Sequence, residues 1–221
     1  MKKYTILILL CANVIVSGCK KTGEPYSGPI NSLKRYPFEH FHLTYGFSGD
    51  ARGSEEVFVA GYGRYEAQIN KSEILTAKGV QSANHTIITR FADMYSLDYS
   101  RRNLQHIHSG YLDSLYHLDQ SDVPSPQQYL EFEMKRNLLK NTGFDTVAGK
   151  TVQRFQLIDG NMTMWIWNGM LLRKYAGSQE GYLDMKVTSI DTLWTVDTTK
   201  FTIPQGFTDT KNQDPNAAPA N

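Results

Sequence analysis

Apolar and polar side chains alternate residue by residue through most of the span from Tyr36 to Phe207, and this period of two constrains the fold more than any other feature. Successive side chains of a strand point to opposite faces, so the alternation marks a sheet with one apolar face. Phe41, Leu43, Tyr45 and Phe47 alternate with His40, His42, Thr44 and Gly46. Residues 48–53 are turn-rich, and 56–65 read as the return strand. Residues 86–91 and 94–98 read as two strands about a tight turn at Ala92-Asp93, and 103–108 extend them. Aromatics make up 12% of the chain, with Tyr the most numerous. Aromatic and Thr richness favours strands over helices.

The last third reads as a meander. Residues 150–158 run to the Asp159-Gly160-Asn161 turn, and 162–167 run to Asn168-Gly169. Asn-Gly between apolar runs is the strongest short hairpin signal. Residues 170–175 follow, then a turn from Gly177, then 182–190. Consecutive hairpins make one continuous antiparallel sheet.

One helix is well marked. Ser125 precedes Pro126 at the first helical position, and Gln128 completes a capping box. Leu130, Met134 and Leu138 recur every four residues, which predicts a helix over 126–140 with one apolar stripe, closed near Gly143. Residues 111–118 fit either a shorter helix or an ordered loop. The stripe needs a partner, and the sheet offers the only large apolar surface. The helix is therefore expected to cover the sheet's concave face.

The N-terminus sets the cellular context. Met1-Lys2-Lys3 is a basic start, residues 4–16 are apolar apart from Asn13, and Val16-Ser17-Gly18-Cys19 follows. A basic start, a short apolar run and small residues before a cleavage point mark a secretory leader. The run is shorter than the roughly 20 residues that span a bilayer. The last four residues match a bacterial lipobox, so residues 1–18 are expected to be removed and Cys19 acylated (with palmitate among the acyl groups). Two acyl chains hold a protein stably at a membrane, each buried methylene contributing about 0.8 kcal/mol. The other cysteine, Cys11, leaves with the leader, so thiolate metal sites, cysteine catalysis and disulfides are excluded. Residues 19–36 read as anchor and tether, 37–207 as the folded domain and 208–221 as a disordered tail.

Charge excludes one further class. The chain has 23 basic and 22 acidic side chains. Loss of Lys2 and Lys3 with the leader turns one excess positive charge into one excess negative charge, so nothing points to nucleic acid.

Three groups of residues resemble LolA/LolB-like proteins. The first runs from Tyr45 through Gly53-Ser54-Glu55-Glu56-Val57-Phe58-Val59 to Gly61-Tyr62-Gly63-Arg64-Tyr65-Glu66. The second is Val147-Ala148-Gly149-Lys150-Thr151 with Met164-Trp165-Ile166-Trp167-Asn168-Gly169-Met170-Leu171-Leu172, and the third is Phe201-Thr202-Ile203-Pro204. The resemblance implies a mainly β, α+β fold: a curved antiparallel sheet, or incomplete β-barrel, with one or more helices covering its apolar concave face. It also implies binding of lipid or acyl chains there. Two departures put a sorting role in doubt. This chain is lipidated, unlike the family's soluble carrier, and it shows no protruding apolar loop like that of the lipidated receptor.

Other chemistry is weakly signalled. His40/His42 and His106/His108 each put two imidazoles on one strand face, as metal ligation needs, but the pairs are far apart and lack a supporting carboxylate spacing. No Gly-x-Ser-x-Gly elbow occurs, and no βαβ unit supports a nucleotide site. No cofactor, metal or catalytic residue is expected. The expected function is therefore a periplasm-facing lipoprotein of the outer membrane holding a lipid or acyl ligand in a cleft lined by Phe41, Leu43, Tyr45, Met164, Trp165, Trp167 and Leu172. Lys20 stands after Cys19 where an inner-membrane retention signal has Asp. The alternative is an envelope protein with a filled core that docks a protein partner. A cleft of roughly 300 Å³ or more favours the first.

Overall fold

The computed structural model describes residues 30–76, 79–178 and 181–209. Cys19, the leader and residues 210–221 of the expected tail lie outside the described residues.

The described residues form one twelve-stranded sheet and two α-helices. The strands are β1 (Phe41–Gly49), β2 (Ala51–Ala60), β3 (Tyr65–Thr76), β4 (Gly79–Arg90), β5 (Asp93–Asp98) and β6 (Asn103–His108), followed by helices α1 (Gly110–Tyr116) and α2 (Pro126–Arg136). Then come β7 (Leu139–Val147), β8 (Lys150–Leu157), β9 (Met162–Trp167), β10 (Met170–Ser178), β11 (Gly181–Asp191) and β12 (Thr208–Asp209). Their order across the sheet is β12-β6-β5-β4-β3-β2-β1-β11-β10-β9-β8-β7. Two meanders thus meet at the antiparallel pair β1–β11, and the helices carry the chain from one edge to the other. β12 pairs with β6 in parallel. The sheet is mainly β, curved and open, as the sequence predicts. No helix among the described residues is long and apolar enough to cross a membrane.

Register explains how the faces sort. Leu43 lies opposite Val57, Val57 opposite Gln68, and Gln68 opposite Ile87. On the other side of β1, Met185 lies opposite Lys174, and Lys174 opposite Met164. These residues share the concave face. The other face of β2–β5 is also buried: Phe58, Ala60, Ala67, Ile88 and Leu97 pack under Phe201, with Trp194, Ile203 and Phe207 beside them. Arg90 Nε fixes that covering segment by donating to the Phe201 carbonyl at 3.0 Å. Burial on both faces is why Ile87 and Ile88 stand side by side instead of alternating.

Helix α2 starts as predicted. Ser125 Oγ accepts from Gln128 N, and Gln128 Oε1 accepts from Ser125 N at 2.9 Å. Its end differs. Asn137 closes the helix after Arg136, its amide and its Nδ2 both donating to the Glu133 carbonyl. Leu138 then takes a left-handed φ of 57° and is 62% exposed, while Leu139 opens β7 and is buried at 6%. The four-residue stripe therefore ends at Met134, and Leu139 replaces Leu138 in the core. Gly143, read as the helix stop, sits at an irregularity inside β7 with φ of 112°. Leu130 and Met134 pack on Phe155, Met162, Met164 and Ile166, so α2 does cover part of the concave face.

Part of the expected tether is packed into the fold. Leu33 is buried against Ala92, Leu112 and Tyr116, and Arg35 is buried nearby. Residues 111–118, left open between helix and loop, fall mostly within α1, capped by Ser109. At the hairpin between β9 and β10, Asn168 and Gly169 both have positive φ, 48° and 77°, as a tight turn matching strand twist requires.

Candidate functional site

A cavity of about 200 Å³ lies between α2 and the concave face. Five of the chain's seven methionines line it: Met94, Met134, Met164, Met170 and Met185. Phe41, Leu43, Val57, Leu130 and Ile166 complete the apolar part. Methionine has three rotatable bonds and a polarizable sulfur, so such a wall adapts to the shape of an apolar occupant.

The rest of the lining is polar, and β2, β3 and α2 supply most of it. Glu66 is held from three sides. Arg35 Nη2 lies 3.4 Å away, Tyr36 Oη donates at 3.2 Å, and Gln68 Nε2 donates to its other oxygen at 2.7 Å. Arg35 also donates to the Gly63 carbonyl. Both partners of this ion pair are more than nine-tenths buried. Burial opposes the charge on Arg35, but Glu66 and the oxygens of Tyr116, Tyr129 and Tyr36 outweigh it and hold the guanidinium charged. Such a pair adds little net stability, yet removing one partner costs about 3–5 kcal/mol. Glu55 accepts from Asn70 Nδ2 at 3.2 Å, and burial pushes its carboxyl up despite that bond and the charge of Lys174. Tyr45 Oη donates to the Leu171 carbonyl at 2.6 Å, and burial holds its phenol protonated.

The residues expected to form a cleft separate into two groups. Phe41, Leu43, Tyr45 and Met164 line the cavity together. Trp165, Trp167 and Leu172 are outside the lining. Met164 and Ile166 occupy the cavity face of β9, so alternation turns Trp165 away. There its indole Nε1 donates to Asp145 Oδ2 at 2.9 Å, and the Arg173 guanidinium stacks 4.7 Å from the ring centre. Trp167 lies under the Lys150 ammonium at 4.6 Å and beside Phe38. Leu172 is fully buried core, in the cluster of Val59 and Val187.

Sequence reasoning missed Glu55, Glu66 and Lys174 because polar strand residues belong to a wet face in a one-sided sheet, and it missed Arg35 in the expected tether and Glu133 on the helix. One signal was present. In β3, Glu66, Gln68, Asn70 and Ser72 recur with period two, opposite Ala67 and Ile69. Covering the far face with apolar side chains leaves the polar row pointing inward.

The two histidine pairs are not brought together. His42 stacks on Phe58 with ring centres 4.3 Å apart and lies 3.2 Å from Glu56. His106 Nε2 and His108 Nδ1 lie 2.9 and 3.0 Å from one oxygen of Asp93. Burial would raise the Asp93 carboxyl, but the two imidazoles hold it below the usual carboxylate range. Among the described residues, no group of three or more His, Cys, Asp or Glu is placed to hold a metal ion.

No family model matches this chain. No curated protein matches it either. Solved structures similar to it include an uncharacterized conserved protein from Thermus thermophilus, with 11% identity over 80% of this chain and 93% of that one, at a TM-score of 0.48. LprF from Mycobacterium bovis aligns with 10% identity over 74% of this chain and 90% of its own, at a TM-score of 0.32. The Mycobacterium tuberculosis lipoprotein LppX aligns with 13% identity over 73% and 91%, at a TM-score of 0.31. Likeness at this level assigns no ligand, partner or location to this chain.

Proposed function

We propose that this chain binds a lipid or acyl ligand in the half-barrel cavity, as a LolA/LolB-like envelope lipoprotein anchored through Cys19, and that it does no catalysis. The observation that carries the reading is the cavity wall, where four methionines of the curved sheet meet Met134 of the covering helix. At about 200 Å³ the cavity is smaller than the roughly 300–1,000 Å³ that encloses a drug-sized ligand. The occupant is therefore a single chain or the end of one, with the methionines moving to admit it. The membrane tether is the lipobox cysteine, and the side is the periplasmic face of the outer membrane.

The test is extraction of the full chain from its native membrane, followed by mass spectrometry of what copurifies. An acyl compound near one per chain, absent from a Met164→Asp variant that still folds, supports the reading. An empty wild-type chain refutes it. Cys19→Ala should release the protein from membranes, and protease added to intact cells should leave the wild type whole.

The second reading is a protein-docking surface, and one observation favours it. Leu138 and Ile158 are 62% and 66% exposed, and they adjoin through a hydrogen bond from Ile158 N to the Leu138 carbonyl. An empty cavity together with a stably captured envelope protein, lost on Leu138→Asp, would make this the better account.

A further inference from the structure

Imidazoles and carboxylates alternate in a row where α1 meets the sheet at β5 and β6. His106 Nε2 and His108 Nδ1 lie 2.9 and 3.0 Å from Asp93 Oδ1. The other ring nitrogen of His108, Nε2, lies 3.6 Å from Asp113 Oδ2 on α1. His117, at the end of α1, has Nδ1 3.4 Å from Asp113 Oδ1 and donates from it to the Asp113 carbonyl at 2.8 Å. From β4, the Arg90 guanidinium stands 5.7 Å over the ring of Tyr95, and that ring stacks on His106 with centres 4.6 Å apart. His108 and Asp113 are 28% and 19% exposed, so solvent screens their contact only in part.

His108 is the member whose proton matters, because both of its nitrogens face a carboxylate oxygen. A neutral imidazole has one N–H and one lone pair. Whichever nitrogen keeps the proton, the other then turns its lone pair toward a carboxylate. The imidazolium has a donor for each, so it alone answers Asp93 and Asp113 together. His106 needs a single N–H toward Asp93, and His117 Nδ1 can donate to its carbonyl in either form. Burial opposes the charge on Asp93, but the two imidazoles outweigh it and hold the carboxyl below the usual carboxylate range. Asp93 is therefore an anion wherever histidine titrates.

Helix α1 has seven residues, too few to be stable alone in water, so it depends on what it packs against. Leu112 and Tyr116 pack on Leu33 and Ala92, and Asp113 faces His108. We propose that His108 is a proton-operated latch: as the imidazolium it clasps α1 to the sheet through Asp113, and on losing its proton it turns a lone pair on that carboxylate and loosens the helix. The grip is full on the acid side and is lost as pH rises through the titration of His108. The cover of the cavity leans on the same helix. The Tyr111 ring of α1 stacks on Phe132 of α2 with centres 5.7 Å apart and lies under the Arg136 guanidinium at 4.3 Å. The latch does not depend on what the cavity holds.

Hydrogen exchange of the α1 amides in the purified full chain tests it, read as protection factors, which remove the intrinsic effect of pH on exchange. The two conditions are about pH 5.5 and about pH 8, on either side of the ordinary imidazole value of about 6.5. The expected result is protection of α1 about fivefold higher at the acid condition, the scale of one partly exposed ion pair, with the β9–β10 hairpin unchanged. His108→Gln and Asp113→Asn should each bring that ratio close to one, and His117→Gln should leave it as in the wild type. Circular dichroism checks the fold of each variant, and either of the first two suffices if the other fails to fold. A wild-type ratio near one or below it overturns the latch. A ratio that survives His108→Gln, or that His117→Gln abolishes, overturns it as well.

Discussion

At the scale of single residues, charge inside the half-barrel sets how stability depends on pH. Glu55 is buried, and its carboxyl is raised in the fold. A raised folded value means the stabilising contribution is full at acid pH and is lost as pH rises through that value. Glu55→Gln should therefore gain more stability relative to wild type at pH 7 than at pH 4, measured by thermal melts at both. An equal gain at both pH values would contradict this. Asp93 has the opposite sign. Its folded value is depressed, so its contribution holds above the ordinary carboxylate range and fades as pH falls through the depressed value. Asp93→Asn should cost more at pH 6 than at pH 3, and a cost independent of pH would contradict that. The two leucines after α2 separate cleanly. Leu139→Ala removes a buried side chain and should destabilise by about 2–5 kcal/mol. Leu138→Ala should change stability by less than about 0.5 kcal/mol. Chemical denaturation of both variants checks the pair, and the reverse order would move the end of the helix.

At the scale of elements, α2 joins sequence to site. Its start was legible because capping chemistry is local: Ser125, Pro126 and Gln128 act on their own neighbours. Its end was not, because Leu138 and Leu139 both fit an apolar stripe and only the turn at Asn137 decides between them. The meander from Lys150 to Asp191 was legible for the same local reason, since alternation and the Asn168-Gly169 turn act within each hairpin. Strand β7 and the full length of β3 were hidden, one behind a helix read too long and the other behind a polar stripe. The site was half legible. Phe41, Leu43, Tyr45 and Met164 obey the alternation, whereas Trp165 and Trp167 fall on the opposite parity of β9 from Met164 and Ile166. Ser125→Ala should cost about 1 kcal/mol by removing the cap. It should also weaken acyl binding, because the fraying turn lies next to Tyr129 and Leu130, which line the cavity. A stability loss with unchanged binding would detach the helix start from the site.

At the scale of the whole molecule, a twelve-stranded sheet has two faces and must protect both. The segment around Trp194, Phe201 and Phe207 covers one face of β2–β5, and α2 covers part of the other. An eleven-residue helix spans about 16 Å, too short to seal a sheet this wide. The cavity lies where that helix crosses the sheet, and its lining of methionines is suited to being filled by a chain from outside. The most direct measurement is binding of a fluorescent acyl probe to the full chain, beside Met164→Asp in the same fold as judged by circular dichroism. The account predicts saturable enhancement with wild type and none with the variant. A wild-type chain that leaves the probe unchanged at high micromolar protein, or a Met164→Asp chain that binds it equally well, would contradict the account.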